Sequence, residues 1–130
     1  CTYTRRITLY KLAEQIWATK IAYWHHKDDI ITTLFMNINS SKRLKIMLPV
    51  NKMRKWDFSI IRPMVYLRED EIIKYCDRNK ITPFSWDCPL SKIGERNNIK
   101  NILIDLEIKL PWFVDNLFEA YIKKVWIETI

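Results

Sequence analysis

Apolar positions recur along this chain at helical spacing, broken by short unbroken apolar runs, and the order of the two predicts a layered fold. Residues 5–17 set Ile7, Leu9, Leu12, Ala13, Ile16 and Trp17 in a helical stripe with polar residues between. Lys20-Ile21-Ala22-Tyr23 follows as a short apolar run and reads as a buried strand. His25-His26-Lys27-Asp28-Asp29 then leads into Ile30–Met36, a predicted helix whose acids sit at its N-terminal end, where the macrodipole favours them. Residues 40–55 have no clean period and read as a long loop or an irregular pair of short strands. Phe58–Ile61 predicts a strand that stops at Arg62-Pro63, because proline cannot donate to a ladder.

Glu69-Asp70-Glu71 opens a helix through Asn79, with Ile72, Ile73, Tyr75 and Cys76 as its apolar side. A loop over 83–89 holds Trp86 and Cys88. Helical spacing returns over 95–109, and a last helix after Pro111 sets Phe113, Leu117, Phe118 and Tyr121 on one face. Helix, strand, polar loop and helix in that order predict an α/β fold with a parallel sheet.

Composition changes this picture in three places. The chain has 130 residues, 48% of them hydrophobic, which is enough for one modest core and excludes a disordered class. A single glycine stands where average usage of ~7% would place about nine, so a glycine-rich phosphate loop cannot be built from these residues. Three cysteines, Cys1, Cys76 and Cys88, are too few for a disulfide framework; a reducing compartment and the cytoplasm follow as expectations. No apolar run approaches the ~20 residues that span a bilayer, so no membrane partner is expected. Cys1 opens the sequence without an initiator Met, which is expected of a piece of a longer protein.

The net charge of +7 favours a polyanionic partner, and its distribution sharpens the point. Between Asp29 and Asp57 there is no carboxylate, while Lys42, Arg43, Lys45, Lys52, Arg54 and Lys55 all fall there. That stretch is either a solvated basic loop or one that tracks an RNA backbone, with Met47, Met53 and Trp56 offering stacking surface. Candidate chemistry concentrates in the His25–Asp29 segment. A strand end that delivers two imidazoles and two carboxylates to a helix start supplies groups for acid–base or ligand work; the plainer reading is a helix cap with surface histidines. Adjacent histidines rarely bite one metal, and no third zinc ligand is spaced nearby.

The residues from Ala22 to Asp29, followed by Thr33-Leu34-Phe35-Met36-Asn37, resemble the GHHxDD…TLxxN stretch of the tRNA 2-thiocytidine synthetases, PP-loop ATP pyrophosphatases. The resemblance continues in register through Arg5-Arg6 with Leu9-Tyr10 (RRxxLY) and through the basic loop Lys42–Pro49. It goes on through Ile61-Arg62-Pro63 with Arg68-Glu69 (IRPLxYxRE), and Ser85–Cys88 falls on the family's second CxxC. The resemblance implies part of an adenine-nucleotide-hydrolase-like, Rossmann-like PP-loop fold: residues 1–66 as the remainder of the sheet domain, residues 67–130 mostly helical. About two strands of a five-stranded parallel sheet and four or five helices are expected. An uncovered sheet edge and bare apolar helix faces would then make the isolated chain associate.

By the same resemblance the activity is ATP-dependent thiolation of an anticodon-loop cytidine in tRNA, with Mg²⁺, a [4Fe–4S] cluster and sulfur from a cysteine desulfurase. His25, Asp28 and Asp29 are then nucleotide-binding candidates, and Cys1 and Cys88 cluster candidates. Lys42, Arg43, Lys45, Lys52, Arg54, Lys55, Arg62 and Arg68 are tRNA-binding candidates; the resemblance assigns no catalytic residue.

The departures are specific. The ATP-gripping SGGxDS loop has no counterpart here, and Ser85 replaces the first cysteine of the second CxxC, although thiolates are the ligands a cluster prefers. Trp24, Ser41, Lys42, Ile7, Ile46 and Pro89 stand at family glycine positions. A separately encoded N-terminal half or a homo-oligomer would complete an enzyme; a non-catalytic RNA-binding remnant or an inactive decayed gene product are the alternatives.

Overall fold

The apolar stripes close into two separate cores. The computed structural model describes residues 2–84 and 94–129. The elements run α1 (Thr2–Gln15), β1 (Lys20–Ala22), α2 (Lys27–Ser41), β2 (Val50–Lys52), β3 (Ser59–Ile61), α3 (Glu69–Arg78), α4 (Glu95–Lys109) and α5 (Phe113–Thr129). One compact unit comprises Cys1–His25 and Leu48–Val65, the other His26–Met47 and Tyr66–Ile130.

In the first unit, β1 and β3 pair in parallel with Ile21 opposite Ile60, and β2 adds antiparallel to β3 with Asn51 opposite Ile60. The order is therefore β1-β3-β2. Ile21 and Ile60 meet Tyr10 and Ala13 of α1 and Phe58, with Leu9, Tyr23, Met53 and Trp56 packed around them. Tyr10 sits edge-on to both Phe58, at 5.3 Å between centroids, and Trp56, at 5.8 Å. Such aromatic pairs add to the ~1.5–3 kcal/mol that each buried large side chain contributes.

Two expectations are corrected here. β1 is half-buried and not fully buried, since Ile21 alone of its three residues points into the core. The α1 stripe also shifts: Tyr10 is buried, while Leu12, Ile16 and Trp17 are exposed. Ile16 and Trp17 lie beyond the end of α1 at Gln15, whereas Leu12 lies within the helix on its exposed side.

In the second unit, three helices bury residues at helical spacing: Ile30, Ile31, Thr32 and Leu34 of α2, Ile99 and Leu103 of α4, and Val114, Phe118 and Ile122 of α5. The Thr32 hydroxyl is satisfied inside α2 by donating to the Asp28 carbonyl at 2.7 Å. Helix α3 buries no residue, and Ile73 and Tyr75, expected on its inner side, are more than half exposed. Its attachment is polar, as described below.

Helix ends are closed without glycine. Trp17, Lys42 and Lys80 follow α1, α2 and α3 at φ 55°, 52° and 54°, and Trp112 sits between α4 and α5 at φ 67°. After α1 the Ala18 N–H reaches the Ala13 carbonyl (2.9 Å) and the Trp17 N–H reaches that of Glu14 (3.1 Å). After α3, Ile81 and Lys80 make the same pair of bonds to Cys76 and Asp77. Both are Schellman closures, in which glycine usually takes the left-handed position and any other residue costs roughly 1–2 kcal/mol. Lys42 stands where the resemblance places a glycine, and its backbone is left-handed. The one glycine, Gly94, has extended backbone at φ 176°.

Candidate functional site

Two helix starts in the second unit are tied by one carboxylate. α2 begins after His26, whose extended backbone presents its N–H to Asp29 Oδ2 at 3.4 Å. α3 begins in the same way, with the Arg68 N–H donating to Glu71 Oε2 at 2.7 Å. Asp28 Oδ2 accepts the first-turn N–H of Glu69 at 2.8 Å, and the Lys27 N–H donates to the Leu67 carbonyl at 2.9 Å. The amide-rich ends of α2 and α3 therefore share the charge of Asp28, which the dipoles of both helices favour.

Arg68 is the hub. Its two terminal nitrogens grip Glu107 as a fork, at 2.9 and 2.7 Å. They also reach Asp115 Oδ2 at 2.7 Å and Asp28 Oδ1 at 3.0 Å. Lys27 pairs with the other oxygen of Asp115, Arg96 with Asp29 at 2.9 Å, and Lys100 with Glu69 at 2.9 Å. Planar bidentate pairs of this kind are the strong class of ion pair, and α3 is fastened by them where apolar burial is missing.

The charges set one another's protonation. Burial alone would raise the Asp28 pKa, but the nearby His26 imidazole, the Glu69 amide and the Arg68 charge outweigh it and hold Asp28 at about 2. Asp115 is likewise held low: burial opposes, and the bonds from Lys27 and Arg68 prevail. Arg68 is raised, first by Glu107 and against burial. His26 is raised above 6.5, first by Asp28 and against burial, with Asp29 and Glu69 adding to the pull.

These shifts fix the pH dependence. A depressed carboxylate stabilises the fold above its ordinary pKa; for Asp28 that contribution, on the order of 2 kcal/mol, disappears as pH falls from near 4 through 2. A raised imidazole stabilises below 6.5 and ceases to do so as pH climbs through its folded value. The melting temperature should therefore drop between pH 6 and pH 9 in the native sequence and drop less in His26→Gln. Parallel declines in both would remove His26 as the cause.

The sequence candidates fall in different places. His25 belongs to the first unit, 5.5 Å from the Tyr23 ring, and accepts from Arg62 Nε at 3.4 Å. Arg62 also donates to the Leu48 carbonyl at 2.5 Å, and burial lowers its pKa. Asp28, Asp29 and Arg68 belong to the ion-pair cluster. Lys42, Arg43 and Lys45 are exposed in the second unit; Lys52, Arg54 and Lys55 are exposed in the first, at the β2–β3 turn. That turn borders a hollow of about 690 Å³ lined by Lys52, Arg54 and Trp56 among others. Cys1, Ser85 and Cys88 lie outside the described residues. Among the described residues Cys76 is a free cysteine, and no three His, Cys, Asp or Glu side chains gather as metal ligands.

Sequence reasoning missed Lys27, Arg96, Lys100, Glu107 and Asp115 as members of the cluster. Their only sequence signal is that each is a charge on or beside a helix face that is otherwise apolar, which singles out none of them.

No protein-family model matches the chain. Over 124 residues, 92% of its length, it is 41% identical to the tRNA-cytidine(32) 2-sulfurtransferase of Vibrio campbellii and covers 41% of that protein. It is 40% identical to the enzyme of the same name from Photobacterium profundum, covering 40% of it. The chain thus spans about two fifths of the length of the curated relatives it matches. In three dimensions it resembles the U34-tRNA thiolase NcsA from Methanococcus maripaludis, solved with its [4Fe–4S] cluster, at a TM-score of 0.79 and 23% identity. All of this chain and 43% of that one are covered, so the two share a fold over this length.

Proposed function

We propose that the chain, 41% identical to a tRNA-cytidine(32) 2-sulfurtransferase over 92% of its length, is a working segment of an ATP-dependent tRNA cytidine thiolase. The reaction is adenylation of the C2 oxygen of an anticodon-loop cytidine, followed by its displacement by sulfur from a cysteine desulfurase, in the cytoplasm. Adenylation turns a poor leaving oxygen into a good one, and Mg²⁺ neutralises the phosphate charge. The observation that carries this reading is the 41% identity over 124 residues.

The division of labour follows from the charges. Asp28 and Asp29 are held by Arg68 and Arg96, so in this arrangement they organise the loop beside a nucleotide and hold no metal themselves. Arg62 meets an imidazole and a carbonyl, and among the described residues no carboxylate pairs with it. Its charge is therefore available to a phosphate at the carboxyl end of β3, where ligands of parallel sheets bind. Lys52, Arg54 and Lys55 contact the tRNA backbone, beside Trp56 as a stacking surface. Among the described residues no set of cluster ligands gathers.

The test is binding of bulk tRNA to the chain across a salt series, with and without ATP and Mg²⁺. Tightening by ATP is expected of a segment that takes part in thiolation. Salt-sensitive binding that ATP leaves unchanged would reduce the chain to an RNA-binding module, and no binding would end the reading.

A further inference from the structure

One face of the second unit has the opposite character to the rest of this basic chain. A cleft of about 910 Å³ opens between α3 and the α4–α5 corner, and among its lining side chains carboxylates outnumber cations six to three. Its inner acids, Asp28, Glu107 and Asp115, are held by Arg68. On its rim, Asp70 pairs with Lys74, and that pair is solvent-exposed and worth little. The cleft also offers apolar surface that is exposed among the described residues. Tyr66, Ile73 and Trp112 are all more than half exposed, Trp112 at 73%. Trp112 sits at a left-handed backbone position between two helices.

We infer that this cleft docks a basic polypeptide segment, with cationic side chains facing the α3 rim and an aliphatic or aromatic side chain against Ile73 and Trp112. Charge complementarity decides the occupant. A surplus of carboxylates repels a phosphate backbone and an anionic lipid surface alike, whereas a net charge of +7 leaves few other places on the chain for a cationic peptide. An exposed tryptophan with acids on one side is the arrangement of an interface anchor within a polar rim. The inference goes beyond the thiolase reading and does not depend on it: tRNA is assigned to the β2–β3 turn of the first unit.

The experiment titrates the intact chain with a labelled peptide of lysines flanking a single leucine, its glutamate counterpart serving as control. Saturable, salt-sensitive binding of the lysine peptide alone is expected. Trp112→Ala and Asp70→Lys should each weaken it about fivefold to tenfold, while Lys74→Glu, which adds a carboxylate to the rim, should tighten it about threefold. Binding of tRNA should be unchanged in Trp112→Ala. Absence of peptide binding, or binding indifferent to all three substitutions, overturns the inference. Loss of tRNA affinity in Trp112→Ala also overturns it and makes nucleic acid the occupant.

Discussion

Arg68→Met is expected to destabilise the second unit by about 3–5 kcal/mol, the cost of leaving partly buried charges without their partner. Asp28, Glu107 and Asp115 all lose their cation in that variant, with only Lys27 remaining to serve Asp115. Helix α3 feels the loss most, because it buries no residue of its own. Chemical denaturation should show an earlier midpoint, and exchange of the α3 amides should accelerate beyond that of α2. Arg68→Lys keeps the charge but not the fork onto Glu107, so it should recover only part of the difference. A midpoint within ~1 kcal/mol of the native value in Arg68→Met would show that the cluster is neutral to stability, as some partly buried ion pairs are.

Replacing Lys52, Arg54 and Lys55 together by alanine should lower tRNA affinity by about ten- to a hundredfold at low salt. The slope of log affinity against log salt should become shallower by roughly 2 to 3, since each lost phosphate contact retains about 0.7–0.9 counterions on the RNA. The same three substitutions should leave stability nearly unchanged, because all three side chains are exposed. Lys42, Arg43 and Lys45 provide the comparison, since they are exposed in the other unit. If their removal produces the larger change in slope, the RNA footprint lies on the second unit instead. A slope unchanged by either set would exclude this basic stretch as the tRNA contact.

Legibility followed the physics of each element. α4 was readable over residues 95–109 because Ile99 and Leu103 recur at four-residue spacing on a face that is buried. β2 was legible only as one alternative, a short strand or a loop, because Val50-Asn51-Lys52 is exposed throughout and has no alternation to betray a strand; its partner β3 specifies it. α3 was readable as a helix from its acidic first turn, yet its predicted apolar side faces solvent, since ion pairs replaced burial as the means of attachment. For the candidate site, the motif residues were visible and their partners were not. Lys27 and Asp115 lie 88 positions apart, and no local period links them. The cluster thus shows why the acids of this loop could be found by pattern while their role as a tie between two helix starts could not.

The glycine-free helix ends bear on the unfolded chain as much as on the folded one. A glycine at position 17, 42 or 80 would relieve the left-handed backbone, but it would also release the denatured chain into many more conformations, an entropic penalty on folding of roughly 0.4–1 kcal/mol per site. The bulky residues found there narrow the disordered ensemble, and that restriction offsets part of their conformational strain. A chain with one glycine among 130 residues therefore enters folding with less freedom to surrender, and its joints between helices take their left-handed turn only as the helices on either side form.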